Sequence, residues 1–356
     1  SMKTACCKAF LSRAYRLHKE RYGAVNNPSD FQIAGIRLQG SFGLSPMAGV
    51  GDYAFRTICR EQGAAYTVTE MVSAKALCYG DQKTAQLLFL GEDEHPAAVQ
   101  IFGAEPHFLA EGARIALEMS HADILDLNMG CPAGKIVRSG EGSALMKNLP
   151  LAAACIEAVV QAVSVPVTVK FRAGWDSEQI NAVAFAKMAV QSGASALCIH
   201  GRTRAQMYAG AADRALMRAV VEAADGTPVM VNGDVTSGES GRALLAETGA
   251  QFAVIGRGAL GNPWVFADCQ AALTGKPYEM PTLPVRLETA FRQAELAAAQ
   301  KGERTACCEM RTHLAHYLRG IRSAARYRGL ATRVSTLAEL RELLDQIRTE
   351  AEQPEI

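Results

Sequence analysis

Ile124-Leu125-Asp126-Leu127-Asn128-Met129-Gly130-Cys131-Pro132 decides the fold of this chain. The short run Ile124–Leu127 reads as a strand, and it stops at Asn, Gly and Pro, the residues of a turn. The same pattern recurs at Phe42–Pro46, Tyr66–Thr69, Ala98–Phe102, Val167–Phe171, Leu197–His200, Val229–Asn232 and Phe252–Ile255. Helical patterns lie between these runs, at Asp52–Gln62, Pro106–Met119, Leu151–Val163, Glu178–Gln191, Arg214–Ala223 and Gly238–Glu247. Alternating strands and helices predict an α/β protein with a parallel sheet. Eight units in about 230 residues fit a closed (βα)8 TIM barrel better than an open doubly wound sheet.

The residues just past each strand sharpen that reading. The runs end in Pro46-Met47-Ala48-Gly49, Glu70-Met71, Gln100-Ile101-Phe102-Gly103, Asn128-Met129-Gly130-Cys131, Lys170-Phe171-Arg172, His200-Gly201-Arg202, Asn232-Gly233-Asp234 and Gly256-Arg257-Gly258. Turns alone favour Gly, Asn and Asp. Eight polar or glycine endings on one edge instead predict an active-site face, because barrels carry their chemistry after the strands.

Gly256-Arg257-Gly258-Ala259-Leu260-Gly261 fits G-x-G-x-x-G, yet it closes the eighth unit instead of opening a βαβ unit with an acidic residue about 20 positions on. It reads better as a phosphate cradle shared with Gly233, since the loops after strands seven and eight often bind phosphate through backbone N–H groups. A phosphorylated cofactor is expected there.

Composition bounds the rest. Of 356 residues, 49% are hydrophobic and 21% charged, the balance of a globular protein. No apolar run approaches the roughly 18 residues of a membrane span, so no membrane partner is expected. Ser1 before Met2 reads as an added residue, and Lys3, Lys8, Arg13, Arg16, Lys19 and Arg21 interrupt any leader-like apolar run. A cytoplasmic location is expected. The ten cysteines form no C-x-x-C pair, so they predict no metal site and read as reduced, partly buried small hydrophobes, except Cys131. The net charge is only +1, but Lys301, Arg304, Arg311, Arg319, Arg322, Arg326, Arg328 and Arg333 crowd one stretch against Glu303 and Glu309. Such a stripe is either a solvated helix face or the footprint of a polyanion.

Pro46-Met47-Ala48-Gly49-Val50, Asn128-Met129-Gly130-Cys131-Pro132, His200-Gly201-Arg202-Thr203-Arg204 and Asn232-Gly233-Asp234-Val235 together resemble the motifs of the tRNA-dihydrouridine synthases, with the bacterial DusB-like branch the nearest pattern. The resemblance runs from about Ile33 to the C-terminal helices, and Asn-Met-Gly-Cys-Pro is its most specific segment. It implies an FMN-dependent enzyme that reduces the C5=C6 bond of a uridine in tRNA with electrons from NADPH. By similarity, Pro46, Met47 and Ala48 lie along the flavin and Gln100 hydrogen-bonds its ring. Lys170 and His200 approach the isoalloxazine, while Asn232, Gly233, Asp234, Gly256 and Arg257 hold the ribityl phosphate end. Cys131 is implied as the proton donor and Asn128 as a contact to the base. The residue types suit that chemistry. Hydride delivered to uracil C6 leaves charge on C5 and O4, and an ordinary thiol, titrating near 8.5, still holds a proton to give to C5. A cationic Lys170 would tune the flavin's charge. Gly130, Gly134, Gly140 and Gly142 suggest a mobile loop around Cys131. Gly51 stands where the family commonly has Thr, and Gly134 where Pro or Ala is common; both departures could loosen loops.

The chain divides into an extension at 1–30, the barrel at 31–280, and a helical tRNA-binding domain at 281–356. In the extension Phe10, Ala14, Leu17 and Arg21 stand at helical spacing, so it is either a basic arm or a frayed terminus. The last segment has helical patterns at Val285–Gln300, Ala306–Ile321 and Leu337–Arg348, preceded by one at Pro263–Leu273. Phosphate contacts position a nucleic acid and supply much of its affinity. Arg311, His313, Arg319, Arg322, Arg326 and Arg328 are the candidate phosphate contacts, which would also offset the cost of flipping a uridine into the pocket. A monomer with no protein partner is expected. Two other readings stay open: an FMN barrel reducing a free pyrimidine or dihydroorotate-like compound, and a non-catalytic RNA-binding module on an inert barrel.

Overall fold

A computed structural model describes residues 31–351; the extension at 1–30 lies outside the described residues. The chain enters with a hairpin, β1 (Gln32–Ile33) and β2 (Ile36–Arg37), that the sequence pattern does not signal. Eight barrel strands come next: β3 (Phe42–Leu44), β4 (Thr67–Ser73), β5 (Ala97–Phe102), β6 (Ile124–Met129), β7 (Val167–Arg172), β8 (Ala196–His200), β9 (Val229–Asn232) and β10 (Phe252–Ile255). They pair in parallel in the order β3-β10-β9-β8-β7-β6-β5-β4. The seam between β3 and β4 closes where Leu44 N–H donates to the Tyr66 carbonyl (2.8 Å) and Ala65 N–H to the Phe42 carbonyl (2.9 Å). The expected (βα)8 barrel is therefore the fold.

Strand alternation builds two cores. On β6, Ile124 packs inside the barrel with Ala98, Cys198, Met230 and Phe252, and Phe31 and Ile33 from the hairpin region plug that end. Phe31 stacks on Phe252 with ring centroids 5.0 Å apart. Leu125, Leu127 and Met129 point the other way, into the layer shared with the surrounding helices. Further along the inward face come Asp126 and Asn128, so the interior turns from apolar to polar toward the strands' C-terminal ends.

Helix starts follow local capping. Asp52 accepts from the Phe55 N–H (2.9 Å) to open Tyr53–Glu61, and Asp213 accepts from Leu216 N–H (2.9 Å) to open Arg214–Ala223. Elsewhere the boundaries differ from the pattern. The helix expected from Glu178 begins at Ala182, because the Asp176 carboxylate draws the N–H groups of Glu178 and Gln179 (both 3.0 Å) into a turn. Strand β4 runs on to Ser73, with a register shift between Val68 and Met71, and the short helices Ala74–Cys78 and Gln82–Gln86 come after it.

The C-terminal helices Leu283–Lys301, Glu303–Tyr317, Ala324–Ala331 and Leu337–Ala351 share their own core of Leu287, Phe291, Leu314, Tyr317, Tyr327, Leu340 and Leu344. Trp264, from the end of the barrel, joins it. The helix Ala324–Ala331 has no counterpart among the expected segments. This layer meets the barrel along Tyr53–Glu61. Arg292 pairs with Glu61, Lys301 with Asp52, and the His313 ring lies 4.9 Å from Phe55. Among the described residues no helix is long and apolar enough to cross a membrane.

Candidate active site

Strand register assembles the site. Gln100 pairs with Asp126 across β5–β6, Asn128 with Lys170 across β6–β7, Arg172 with His200 across β7–β8, and His200 with Asn232 across β8–β9. These strand ends surround a cavity of about 1040 Å³ at the C-terminal edge of the barrel. Pro46, Met47, Ala48, Gln100, Asn128, Cys131, Lys170, His200, Asn232, Gly233, Asp234, Gly256 and Arg257 all line it. The thirteen come from seven of the eight strand ends; the cavity also takes Met71 from β4.

A hydrogen-bond chain leads to the Cys131 backbone. Buried Asp126 accepts from Gln100 Nε2 (2.6 Å) and from the Thr168 hydroxyl. Gln100 Oε1 accepts from Asn128 Nδ2 (2.8 Å), and Asn128 Oδ1 accepts from the N–H groups of Gly130 (3.1 Å) and Cys131 (2.8 Å). The Cys131 carbonyl accepts from Ser143 N–H (3.1 Å) and Oγ (2.9 Å). The segment after Cys131, expected as a loop, folds as the helix Gly134–Arg138 and a 3-10 turn, Gly142–Lys147. Gly142, at φ +59, brings its backbone against Cys131, where a Cβ would sit 2.8 Å from the Cys131 oxygen.

Electrostatics divide the cavity. Burial raises the Cys131 thiol above the ordinary range, against the Ala133 N–H, Arg172 and Lys170, so it keeps its proton at neutral pH. Burial, reinforced by Lys170, Arg172, Arg202 and Arg257, pushes His200 down to about 2, so its imidazole is neutral. Lys170 Nζ donates to Asn232 Oδ1 (3.1 Å), and Asn232 Nδ2 to the Val254 carbonyl (2.8 Å), which fixes the lysine. Asp234 stands at φ +54, a strained position for a residue with a side chain. Burial opposes its charge, but the Ala212 N–H, Arg202 and Arg257 hold its carboxyl below the usual range. Arg202 bonds Asp234 at 2.7 Å, whereas Arg257 stands 4.0 Å away and half exposed. Opposite, Gly233 approaches so closely that a Cβ would lie 2.5 Å from Ala212 Cβ.

The basic stretch is distributed differently from expectation. His313 is buried against Phe55 and pushed down to about 4 by burial, so it faces no phosphate. Arg311 Nε donates to the Val334 carbonyl (2.9 Å) and Arg326 pairs with Glu350 (2.9 Å). Arg322 is exposed; neither it, Arg311 nor Arg326 lines the cavity. Arg319 does, with Arg286 and His316. Sequence reasoning passed over Asp126, Arg172, Arg202, Arg286 and His316. Arg172 and Arg202 were signalled by their places at strand ends. Arg286 and His316, remote in sequence, carried no signal.

Amide, lysine, imidazole and thiol groups meet the Gly233 and Gly256-Arg257 loops on the C-terminal edge of a (βα)8 barrel, the face on which barrel enzymes carry their chemistry. The dihydrouridine synthase (Dus) family model matches residues 43–352. The tRNA-dihydrouridine synthase B of Pseudomonas aeruginosa is 40% identical over 295 residues, 82% of this chain and 87% of that one. A probable tRNA-dihydrouridine synthase of Rickettsia conorii is 38% identical over 300 residues, 84% and 90% of the two chains. The chain belongs to the dihydrouridine synthase family, a family of oxidoreductases. Among solved structures, a 2-naphthoyl-CoA reductase bound to 2-naphthoyl-CoA matches with a TM-score of 0.54 at 9% identity, over 71% of this chain. This chain spans 53% of that reductase, and the likeness concerns the fold alone.

Proposed function

We propose that this enzyme reduces the C5=C6 bond of a uridine in tRNA to dihydrouridine, with FMN as its bound cofactor, NADPH as electron donor and Cys131 as proton donor. The observation that carries this reading is the placement of a protonated thiol in the cavity that Lys170, neutral His200, Gly233, Gly256 and Arg257 also line.

The residues fit FMN. Gly233 lets its loop pack against Ala212, where a Cβ would lie only 2.5 Å from the Ala212 Cβ, and Arg257 stands half exposed 4.0 Å from neighbouring Asp234. Gly233, Asp234, Gly256 and Arg257 would hold the phosphate end, while Pro46, Met47, Ala48, Gln100 and Lys170 would flank the ring. FMN, once reduced, supplies a hydride for uracil C6. Everything else falls to the chain. Asn128 orients the base and, through the Cys131 N–H, the thiol. Cys131 gives its proton to C5 and regains one from solvent. Neutral His200 serves as a hydrogen-bond partner and adds no charge to the site. The helical region, 281–356, would hold the tRNA body, and the enzyme would act in the cytoplasm as a monomer.

Cys131→Ala tests the assignment in two half-reactions. Removing a positioned general acid costs roughly 10²–10⁴-fold in rate. NADPH should still bleach the bound flavin at close to the wild-type rate, while tRNA should reoxidise it slowly. Free uridine or dihydroorotate turning over as fast as tRNA would favour the small-molecule reading. Wild-type rates in both half-reactions would remove Cys131 from the chemistry, and release of FAD in place of FMN would overturn the cofactor.

A further inference from the structure

Six cationic side chains line the cavity, Lys170, Arg172, Arg202, Arg257, Arg286 and Arg319, against the single carboxylate of Asp234. A bound phosphate monoester brings a charge of about −2. Even with it in place, three cations are unmatched, and a focused excess of this size attracts further anion.

The excess has a location. Arg286, in helix Leu283–Lys301, sends Nη2 to the carbonyls of Tyr317 (2.9 Å) and Arg319 (3.1 Å). Its Nε is buried without a hydrogen-bond partner, as is Nδ1 of neighbouring His316. Arg319 lies just beyond the end of helix Glu303–Tyr317, is exposed, and its guanidinium makes no hydrogen bond or ion pair among the described residues. Both arginines reach the cavity beside Leu260, Gly261 and Asn262. Their position relative to the cradle is fixed through backbone: Gly261 sits at φ +66, and a Cβ there would lie 2.3 Å from the His316 carbonyl carbon. No side chain could intervene.

We infer that Arg286 and Arg319 form a second phosphate subsite at the rim, separate from the Gly233–Gly256 cradle, which takes a backbone phosphodiester of the RNA next to the nucleotide in the cavity. The inference rests on the tRNA reading above. A nucleotide inserted while still part of a strand keeps a phosphate on each side, and those phosphates must lie at the cavity mouth. Arginine suits the role because its planar fork pairs with phosphate oxygens bidentately. The subsite would register the strand so that the inserted base, not its neighbour, reaches Cys131.

The test uses the full-length, flavin-loaded protein with Arg319→Gln and Arg319→Lys, reading tRNA binding by fluorescence anisotropy across a salt series, without turnover. Removing a charge-assisted hydrogen bond weakens binding by roughly tenfold or more. Arg319→Gln should show that weakening, with a log–log salt slope shallower by about 0.7–0.9. Arg319→Lys should recover most of the slope and less of the affinity. Unchanged tRNA affinity and slope would overturn the inference. So would weakening confined to NADPH, which would give the subsite to the donor's phosphates, or release of flavin, which would merge it with the cradle. Binding that obeys these expectations in a protein unable to reduce tRNA would sink the functional reading and leave the subsite standing.

Discussion

Asp126 shows how one buried carboxylate can set the orientation of a site. An amide side chain can present either its oxygen or its nitrogen, whereas an ionised carboxylate only accepts. Asp126 therefore turns Gln100 Nε2 toward itself, which leaves Oε1 for Asn128 and the Asn128 oxygen for the Cys131 N–H. Burial pushes Asp126 up to about 6, against the hydrogen bonds from Thr168 and Gln100 and the charge of Lys170. The folded pKa lies above the unfolded one, so the stability this group contributes is present below about pH 4 and lost as pH rises through about 6. A shift of roughly two units corresponds to at most about 3 kcal/mol. Asp126→Asn should consequently gain stability relative to wild type between pH 4 and pH 7, read from paired denaturant curves at the two pH values. A difference independent of pH would show that Asp126 titrates normally.

At the level of the element, the G-x-G-x-x-G segment shows how one spacing can serve an unexpected purpose. Two of its three glycines answer close approaches. Gly256 lines the cavity, a Cβ on Gly258 would fall 1.9 Å from the Val235 carbonyl oxygen, and Gly261 abuts the backbone of His316 and Tyr317. Gly258→Ala must push the loop after β10 away from the loop after β9, the two loops proposed to hold the cofactor phosphate. Overpacking of this kind costs about 1–3 kcal/mol. The expected result is a lower melting temperature and a much reduced flavin-to-protein ratio on purification. Full flavin occupancy in Gly258→Ala would mean that the cradle does not depend on this close approach. The strand ends were legible in the sequence because turn chemistry is local. The start at Ala182 was not, since the Asp176 turn competes with a helix that periodicity alone supports.

Across the whole molecule, the basic stretch divides into cations that bind the protein together and cations left facing solvent. Lys301 pairs with Asp52 and Glu309, joining the last helices to the N-cap of Tyr53–Glu61, and Arg311 holds the Val334 carbonyl. The Arg326–Glu350 pair is exposed, and exposed pairs contribute little, so a phosphate can compete for that arginine. Changing Arg322 and Arg326 together to Ala should flatten the salt dependence of tRNA binding by about 0.7–0.9 for each phosphate no longer neutralised, with NADPH reduction of the flavin intact. An unaltered slope would move the outer RNA surface away from helix Ala324–Ala331.

The barrel and its polar edge were determined by sequence alone, because alternation and turn residues act over a few positions and each strand carries its own signal. So was the place of Cys131, set by a glycine and a proline at a strand end. Tertiary structure alone decided which cations serve the cavity. Arg286 and Arg319 stand 33 positions apart and reach the rim only because Trp264, Phe291, Tyr317 and Leu344 bury a shared core that seats the helices on the barrel. It also decided that His313, read as a phosphate contact, is a packing residue against Phe55. Burial is a property of the assembled surface, and no local pattern in a charged helix distinguishes the side facing water from the side facing another helix.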